Sequence, residues 1–469
     1  MGKAIITYLD AVHCKANKEA RELILPALTY KNIVWRRSRT GTKAAQSNIS
    51  HLITGRKGTG GTFLAGLDLR IMEYCKEKKL SKIVFNGKEN LTHIAPSAKP
   101  YLKGIVFRPD QKKALKAVAK ESRGRVVFPT GSGKTIIALG IISMFPECRI
   151  IFLCHTKDLI NQTLKELNKY INNRKIFIMG AGYKSKMSEI KKSENPIVLS
   201  TIQSFSKLHT KEYVDFFDLT IVDEGHHVNS RSSQYGKVME HNLSPRRYAL
   251  TATIPTNKKE ILVNEGFFGK NISELTVGEG IEIGIIAKPI INLMPVPYSS
   301  DINMMCARKY KNFYQYGIVE NEARNSLIVN ETLNSIKKKE TTLIIIERTE
   351  HGDILQNMFR QKGIEAPFVQ GSTNMKERNK FKREIKIRKQ KVVICSKVWK
   401  EGINIPSLNH IINACGMKEE KAVTQAMGRG LRTTKKKKTI KLTDFLDPYM
   451  YLAQHAILRI QVYSKQGWL

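Results

Sequence analysis

The sequence predicts an α/β protein with two doubly wound parallel sheets, preceded by a small basic α+β module. From about residue 124, short apolar runs alternate with longer polar segments of helical length, which is typical of βα units. A second series of the same kind begins near residue 341. Residues 1–95 lack this alternation and carry 17 Lys and Arg against 7 Asp and Glu. We therefore predict three domains, at 1–95, 96–290 and 291–469.

The N-terminal module has a mixed pattern. The run AIITYLD is a candidate strand, and NKEARELILPAL and residues 63–79 are candidate helices because their apolar residues recur at helical spacing. Residues 36–62 are basic, rich in Gly, Thr and Ser, and poor in apolar periodicity, which predicts a mobile loop. We expect this module to bind nucleic acid through its positive charge.

Each predicted sheet has five candidate strands. Those of the first sheet are RVVF, RIIFLC, PIVLS, DLTIVD and RYALTA, and those of the second are TTLIII, APFVQ, KVVICS, HIINAC and TIKLTDF. Residues 287–300 are predicted to form a strand and a linker between the sheets, and residues 304–338 to be helical. In doubly wound sheets ligands bind at the carboxyl ends of the strands, so we expect the functional residues there.

The charge is the strongest global signal. The chain has 79 Lys and Arg against 41 Asp and Glu, a formal net charge of +38 spread over its whole length, which indicates nucleic acid as a partner. Four lysines at 435–438 fit either a solvated turn or phosphate contacts. No apolar run approaches the roughly 20 residues of a membrane helix, and the first residues do not resemble a signal peptide. The seven cysteines form no CxxC pair and lie mostly in apolar runs, so we expect buried thiols in a reducing, cytoplasmic compartment.

The segment VVFPTGSGKT at 126–135 predicts a strand, a Gly-rich turn and the start of a helix. The backbone N–H groups expected to surround phosphate oxygens are those of Thr130, Gly131, Ser132 and Gly133. Lys134 is expected to reach the β- and γ-phosphates, and the Thr135 hydroxyl to bind Mg²⁺. The strict phosphate-loop pattern has Gly where this chain has Phe128, but the remainder of the pattern is highly specific.

The segment LTIVDEGHH at 219–227 is an apolar strand that ends in two carboxylates. In a doubly wound sheet, this position faces the phosphate loop. Asp223 is predicted to bind the Mg²⁺ through water, and Glu224 to orient and deprotonate the attacking water. We expect His227 to be structural.

Two shorter motifs flank these segments. In FRPDQ at 107–111, the Gln111 amide offers one donor and one acceptor, so it can pair with adenine N6 and N7 and select ATP; Arg108 is a second predicted nucleotide contact. In YALTATIP, the hydroxyls of Thr251 and Thr253 either link the nucleotide site to the second domain or cap the next helix.

In combination, these motifs resemble those of superfamily 2 helicases with two RecA-like domains. The segments FRPDQ, PTGSGKT, FLCHTKDLINQ, LSTIQS, DEGH, LTAT, IIIERTEHGDIL, VQGSTNMKER, CSKVWKEGINIP and QAMGRGLR occur in the family's order across residues 107–432. The sequence is most similar to UvsW-type branch-migration helicases of tailed phages, and more distantly to the RecG and XPB groups.

The resemblance implies further site residues. In this family, QxxGRxxR places its arginines across the interdomain cleft, so Gln425, Arg429 and Arg432 are expected to complete the ATP site, the arginines as fingers on the γ-phosphate. CSKVWKEGINIP implies Gly402 near the nucleotide, but Asn404 stands where the family commonly has Asp. The implied nucleic-acid contacts are Lys157, Thr201, Arg348, Ser396 and Lys397.

The resemblance implies an ATP- and Mg²⁺-dependent DNA helicase or translocase. It would unwind or branch-migrate forked and Holliday-junction DNA in replication, recombination and repair, as a monomer working with other replication or recombination proteins. Its location would be the cytoplasm, and that of an infected bacterial host if the protein is viral. Three alternatives stay open: an RNA helicase or transcript-release factor, a duplex translocase of the restriction type, and a binding protein with a vestigial ATP site. The presence of Lys134, Asp223, Glu224, Arg429 and Arg432 argues against the last.

Overall fold

The computed structural model describes residues 3–37, 43–56, 58–80, 83–171, 174–180, 182–306, 309–396, 405, 407–416 and 437–469. Two compact units divide the chain: residues 1–128 with 133–275, and residues 276–469 with 129–132. Each unit contains one predominantly or wholly parallel sheet whose strands alternate with helices, so the predicted α/β fold class is confirmed. Within the described ranges, no helix is both long enough and apolar enough to cross a bilayer.

The N-terminal part of the first unit has its own small sheet. Its elements are β1 (Ile5–Tyr8), β2 (His13–Ala16), α1 (Lys18–Ile24), β3 (Thr29–Arg37), β4 (Lys43–His51), β5 (Gly61–Leu64), α2 (Asp68–Glu77) and β6 (Val84–Asn86). Four strands form a mixed sheet in the order β5-β2-β1-β6. The predicted first strand and first helix are confirmed. The second predicted helix begins only at Asp68, because Phe63 and Leu64 belong to β5 and pair with β2.

The strands β3 and β4 form a separate antiparallel hairpin. Nine residue pairs join them, from Thr29 opposite His51 to Arg37 opposite Lys43. The prediction of a mobile loop over 36–62 is therefore wrong where β4 and β5 lie. The run KAAQSNISH of β4 has no alternation of large apolar residues, so its sequence does not indicate a strand; backbone hydrogen bonds to β3 define it instead.

The N-terminal sheet and the larger sheet of the first unit share one apolar core. A single buried cluster contains Ile6 and Leu64 from the N-terminal sheet together with Phe267 from a helix of the larger sheet. Residues 1–95 pack within the first unit, which ends at 275. The predicted domain limits at 95 and 290 stay predictions.

An ionic chain on the surface also connects these two parts. The imidazole of His13 lies 3.0 Å from Asp10 Oδ2 and 3.1 Å from Glu240 Oε1. Arg231 pairs with the same Glu240. The hydrogen bonds to Asp10 and then to Glu240 raise the pKa of His13 to about 9, so at neutral pH it is a cation between two carboxylates.

The larger sheet of the first unit has eight strands. Its strands are β7 (Arg123–Val127), β8 (Ile150–Cys154), β9 (Ile176–Gly180), β10 (Tyr183–Lys184), β11 (Ile197–Thr201), β12 (Leu219–Asp223), β13 (Arg246–Thr251) and β14 (Asn271–Glu274). Its helices are α3 (Pro109–Lys120), α4 (Lys134–Met144), α5 (Lys157–Tyr170), α6 (Met187–Ile190), α7 (Ile202–Phe205), α8 (Gln234–His241) and α9 (Lys258–Phe268). The order is β10-β9-β11-β8-β12-β13-β7-β14, and every pair except β10 with β9 is parallel. All five predicted strands are confirmed, while β9, β10 and β14 were not predicted.

The second unit is built on a six-stranded sheet. Its strands are β15 (Lys288–Pro295), β16 (Thr342–Ile345), β17 (Phe368–Val369), β18 (Val392–Cys395), β19 (His410–Asn413) and β20 (Thr439–Leu446). Its described helices are α10 (Val277–Glu282), α11 (Ser300–Met305), α12 (Tyr310–Tyr314), α13 (Glu322–Lys337), α14 (Thr349–Gln361), α15 (Met375–Lys386) and α16 (Met450–Lys465). The order is β15-β20-β19-β16-β18-β17, and all pairs are parallel. The predicted strands are confirmed, and the strand predicted within 287–300 joins this sheet beside β20.

A buried ionic network fixes the second unit's C-terminal elements to its sheet. Arg324 on α13 is fully buried and donates through Nε to Asp447 at 2.7 Å. Arg459 on α16 donates to Asp444 at 2.7 Å, and the hydroxyl of Tyr463 donates to the same carboxylate at 2.5 Å. Two buried guanidinium groups thus face two buried carboxylates. Removing one of these groups would leave an uncompensated buried charge and destabilise the fold.

Candidate functional site

Three neighbouring strands of the first unit bring the predicted motifs to one edge. In the sheet, β12 pairs with β13 and β13 pairs with β7, with Asp223 opposite Leu250 and Leu250 opposite Val126. The carboxyl ends of these parallel strands therefore align. The loop after β7 and the acidic pair after β12 lie at the same edge, one strand apart.

The loop between β7 and α4 has the geometry of an anion cradle. Gly131 and Gly133 adopt φ angles of +86° and +93°, in the left-handed region that favours glycine. A Cβ atom on Gly133 would lie 2.9 Å from Nε2 of Gln111, so any side chain at position 133 would crowd the Gln111 amide. Helix α4 starts at Lys134 behind a glycine N-cap that has no side chain to accept its first N–H groups. These groups suit an anion such as a phosphate.

The other loop residues support this shape. The Ser132 hydroxyl is buried and donates to the carbonyl of Pro129 at 2.7 Å, which tightens the turn. Lys134 Nζ donates to the carbonyl of Phe128 at 3.1 Å, so its ammonium group lies beside the first residues of the loop. Thr130 and Thr135 are half-buried.

The FRPDQ motif begins helix α3 beside this loop. Gln111 is buried, and its Oε1 accepts a hydrogen bond from the Arg108 backbone N–H at 3.1 Å, which caps the helix. The guanidinium of Arg108 donates to both carboxylate oxygens of Asp110, at 3.0 and 2.8 Å. The cap uses one of the two lone pairs of Oε1, so the predicted two-point pairing of Gln111 with adenine stays a prediction.

The acidic pair combines an unusual pKa with a strained backbone. Burial and the neighbouring Glu224 carboxylate raise the pKa of Asp223 to about 7, and the Lys134 ammonium opposes this shift. Glu224 has φ +51° and ψ +48°, a left-handed conformation that is uncommon for a residue with a side chain. Such strain concentrates at functional sites, where the surrounding structure maintains it.

Residues that the sequence did not single out hold this turn in place. Asn264 on α9 is buried, and its side-chain amide donates to the carbonyls of Gly225 and Val228 at 2.8 and 3.1 Å. A Cβ atom on Gly225 would lie 2.5 Å from the Cβ of Ala249, so the turn packs directly on β13. A polar residue inside the apolar helical run ILVNEGFF is the signal that points to Asn264.

Histidine side chains connect the turn to its neighbours. His226 is buried, with Nδ1 3.0 Å from the Thr251 hydroxyl and 3.5 Å from Glu224 Oε2. His227 stacks on His155, with ring centroids 4.1 Å apart and planes at 12°, which fits the structural role expected for it. The Thr251 hydroxyl also donates to the carbonyl of Thr253 at 2.8 Å.

The threonine motif therefore does not cap the following helix. Asn257 has that role in α9, where its Oδ1 accepts from the Glu260 N–H at 2.8 Å.

The predicted nucleic-acid contacts differ in their surroundings. Lys157 is exposed at the start of α5. Thr201 is 5% exposed, and its hydroxyl caps α7 by accepting from the Ser204 N–H at 3.2 Å; its contact with nucleic acid stays a prediction. In the second unit, Arg348 is half-buried and donates to Gln315 Oε1 at 2.7 Å. Ser396 is 7% exposed, at the carboxyl end of β18.

Several predicted site residues lie outside the described residues, and for these the sequence predictions stand as predictions. They are Lys397, Gly402, Gln425, Arg429 and Arg432, and also Asn404.

Family models match both units. Residues 104–256 match the model described as Type III restriction enzyme, res subunit, and residues 323–434 match the helicase conserved C-terminal domain. The first matched range contains the PTGSGKT segment and the acidic pair, and the second contains the QxxGRxxR segment.

Known proteins resemble the chain over most of its length. The DNA 3'-5' translocase XPB2 of Sulfurisphaera tokodaii is 27% identical over 362 residues, which cover 70% of this chain and 79% of that protein. The ATP-dependent DNA helicase uvsW of enterobacteria phage T4 is 23% identical over 366 residues, which cover 74% and 72%. Among solved structures, the ATP-dependent Type ISP restriction-modification enzyme LlaBIII bound to DNA has a TM-score of 0.60 at 17% identity, over 83% of this chain and 32% of that one. At this identity, the structural match supports the fold.

Proposed function

Since this chain belongs to the superfamily 2 helicases, which are ATP-dependent enzymes with two RecA-like domains, we propose that it is a motor that hydrolyses ATP to move along DNA and to unwind or branch-migrate forked and junction substrates. The observation that carries this proposal is the shared edge of β7 and β12. A glycine cradle for an anion, a lysine and two carboxylates, one of them on a strained backbone, lie there within one strand of each other.

The chemistry of the edge fits a nucleoside triphosphate with Mg²⁺. The first N–H groups of α4 and the Lys134 ammonium would bind the phosphates. The Thr135 hydroxyl and the Asp223 carboxylate are oxygen donors, the type that Mg²⁺ prefers, and would hold the ion directly or through water. When bound, Mg²⁺ neutralises charge that develops on the phosphate oxygens.

Glu224 is the proposed general base. Its carboxylate would accept a proton from the attacking water, and the neighbouring histidine, 3.5 Å away, orients it. His226 also contacts the Thr251 hydroxyl at the end of the adjacent strand, so it joins the acidic turn to β13. Gln425, Arg429 and Arg432 are proposed to complete the site from the second RecA-like domain, with Gly402 near the nucleotide.

DNA is the proposed substrate because two features agree. The net charge of +38 favours a polyanion, and two relatives with similar sequences carry names that describe DNA translocation or DNA helicase activity. Residues 1–95 are the proposed duplex-binding part, in which β3 and β4 form a hairpin separate from the small sheet. Lys157, Arg348, Ser396 and Lys397 are proposed strand contacts, so binding is expected to show little sequence preference.

The deciding experiment measures ATPase stimulation and strand separation with matched substrates. Forked DNA, a Holliday junction, single-stranded DNA and an RNA duplex of equal length are compared in the same buffer. We expect the fork and the junction to stimulate ATP hydrolysis most and to be unwound or migrated. Equal ATP hydrolysis with and without nucleic acid would contradict the motor, and preferential stimulation by the RNA duplex would contradict the choice of DNA.

A further inference from the structure

The amino ends of the second sheet's strands carry a dense group of positive charge. Three segments precede or begin β16, β18 and β20: residues 337–340, 386–391 and 437–441. Together they contain ten Lys and Arg and one Glu, so charge compensation within them is minimal. Because the strands are parallel, they begin at one edge of the sheet, and the backbone N–H of Thr342 donates to the Lys391 carbonyl at 2.7 Å. We call these three segments the amino-edge surface.

Cations of separate segments act on the same two buried groups. Burial, followed by Lys441 and Lys338, lowers the pKa of His410 to about 3. Burial and then Arg388 lower the pKa of Lys437 to about 8. Positive charge from separate segments is thus concentrated around the same strand ends.

Carboxylates offset little of this charge. Lys441 pairs with Glu331 on α13. Across the described parts of the chain, no carboxylate oxygen lies within 4 Å of the charged nitrogens of Lys338, Lys339 or Arg388. All three of these cations are exposed. A surface of this kind repels itself and attracts a polyanion.

Two of the cations occupy strained positions. Lys339 follows the end of α13 with φ +58°, and Arg388 follows the end of α15 with φ +61°. After α14 in the same unit, the corresponding left-handed residue is Gly363, with φ +70°. Glycine adopts this conformation without strain, whereas a side chain does not. A cation near a helix C-terminus interacts favourably with the helix dipole. A cation in the last helical turn would have the same interaction without the strained backbone, so the dipole alone does not explain Lys339 and Arg388.

We propose that the amino-edge surface binds the phosphate backbone of duplex DNA. This inference deepens the proposed function and depends on it. Ser396 and Arg348, the described candidates for strand contacts in this unit, follow β18 and β16 at the opposite edge. A four-residue strand separates the two edges by roughly 13 Å. The amino-edge surface would therefore hold a duplex arm, while the opposite edge contacts a single strand.

The strained positions provide a test that separates binding from folding. In the double variant Lys339→Gly/Arg388→Gly, two positive charges are lost while both backbones adopt a conformation that suits glycine. We expect the melting temperature to stay equal or to rise. For a fluorescent fork with a 30-base-pair arm, we expect the affinity near 0.1 M salt to fall roughly 10- to 100-fold. The slope of log K against log salt should decrease by about 2, since each lost phosphate contact removes about 0.9.

The matched control is Lys112→Gln/Lys113→Gln, which removes two exposed cations from α3 in the first unit. It should leave both the fork affinity and the salt slope close to those of the wild type. A short single-stranded oligonucleotide should stimulate ATP hydrolysis equally in the wild type and in the glycine variant.

Equal fork affinity and slope in the glycine variant and the wild type would overturn the proposal, and so would a loss no larger than that of the control. If fork DNA fails to stimulate the wild type at all, the proposed function itself is wrong. The two failures are therefore distinguishable.

Discussion

His410 should remain neutral far below the pH at which a histidine normally protonates. It lies in β19, fully buried, with its ring nitrogens 2.7 Å from the Ser335 hydroxyl and 2.8 Å from the Thr443 hydroxyl. Its pKa is lowered from 6.5 to about 3. Between these values the unfolded chain binds a proton that the folded chain does not. The free energy of unfolding is therefore highest above pH 6.5, and it decreases as the pH falls from 6.5 towards 3.

The magnitude follows from the shift. Each pH unit within this window costs about 1.4 kcal/mol, so the free energy of unfolding should fall by about 2 kcal/mol between pH 7.5 and pH 5 from His410 alone. His351 is also buried, and its pKa is likewise lowered to about 3, so it should contribute a similar amount. In the variant His410→Gln, the free energy of unfolding should decrease by about 2 kcal/mol less than in the wild type between pH 7.5 and pH 5.

Urea unfolding at pH 7.5, 6 and 5 measures the effect. In a Trp35→Phe background the remaining tryptophans, Trp399 and Trp468, lie in the range of the second unit, so their fluorescence reports on that unit. NMR titration of the imidazole carbon-bound protons gives the pKa of His410 directly. A titration midpoint above about 5.5, or an unchanged pH dependence in His410→Gln, would refute the reasoning.

Three further predictions concern single side chains. Glu224→Gln should lower the ATPase turnover number about 10²–10⁴-fold while nucleotide affinity, measured with a fluorescent analogue, stays near that of the wild type; unchanged turnover would remove Glu224 as the base. Gly225→Ala should reduce both ATPase activity and melting temperature because its Cβ would lie 2.5 Å from Ala249 Cβ, and the double variant with Ala249→Gly should recover part of each; no recovery would contradict the steric explanation. Arg324→Ala should lower the free energy of unfolding by about 3–5 kcal/mol, measured by urea unfolding, because it leaves the buried Asp447 carboxylate without its main partner; a loss under about 1 kcal/mol would contradict this role.

The sequence predicted the elements whose local pattern agrees with their environment. Strands such as β8 and β18 are buried along their whole length, so their runs of apolar residues are unambiguous. The phosphate loop and acidic pair were predictable because their chemistry requires particular residues at fixed spacing. The placement of the acidic pair beside the loop followed from the rule that ligands bind at the carboxyl edge of a parallel sheet.

The remaining features depend on contacts between distant residues. Asn264 lies 40 residues beyond Glu224 in the chain, and only the packing of α9 against the acidic turn brings its amide to Gly225. The pairing of Arg324 with Asp447 has no local signature, although an arginine four residues before the buried Ile328 indicates that it shares the inward face of α13. The β4 strand was missed because its partner, and not its own composition, determines its conformation.

The core shared by the N-terminal sheet and the larger sheet has a mechanical consequence. Ile6, Leu64 and Phe267 belong to one packed interior, and the contacts of His13 and Arg231 with Glu240 reinforce it on the surface. A packed interior transmits strain with little compliance. If a bound duplex exerts a force on the hairpin, this force reaches α9, which packs against the acidic turn, with little deformation of the interior. The N-terminal sheet and the acidic turn would therefore move as one rigid part, and a force on the first would displace the second.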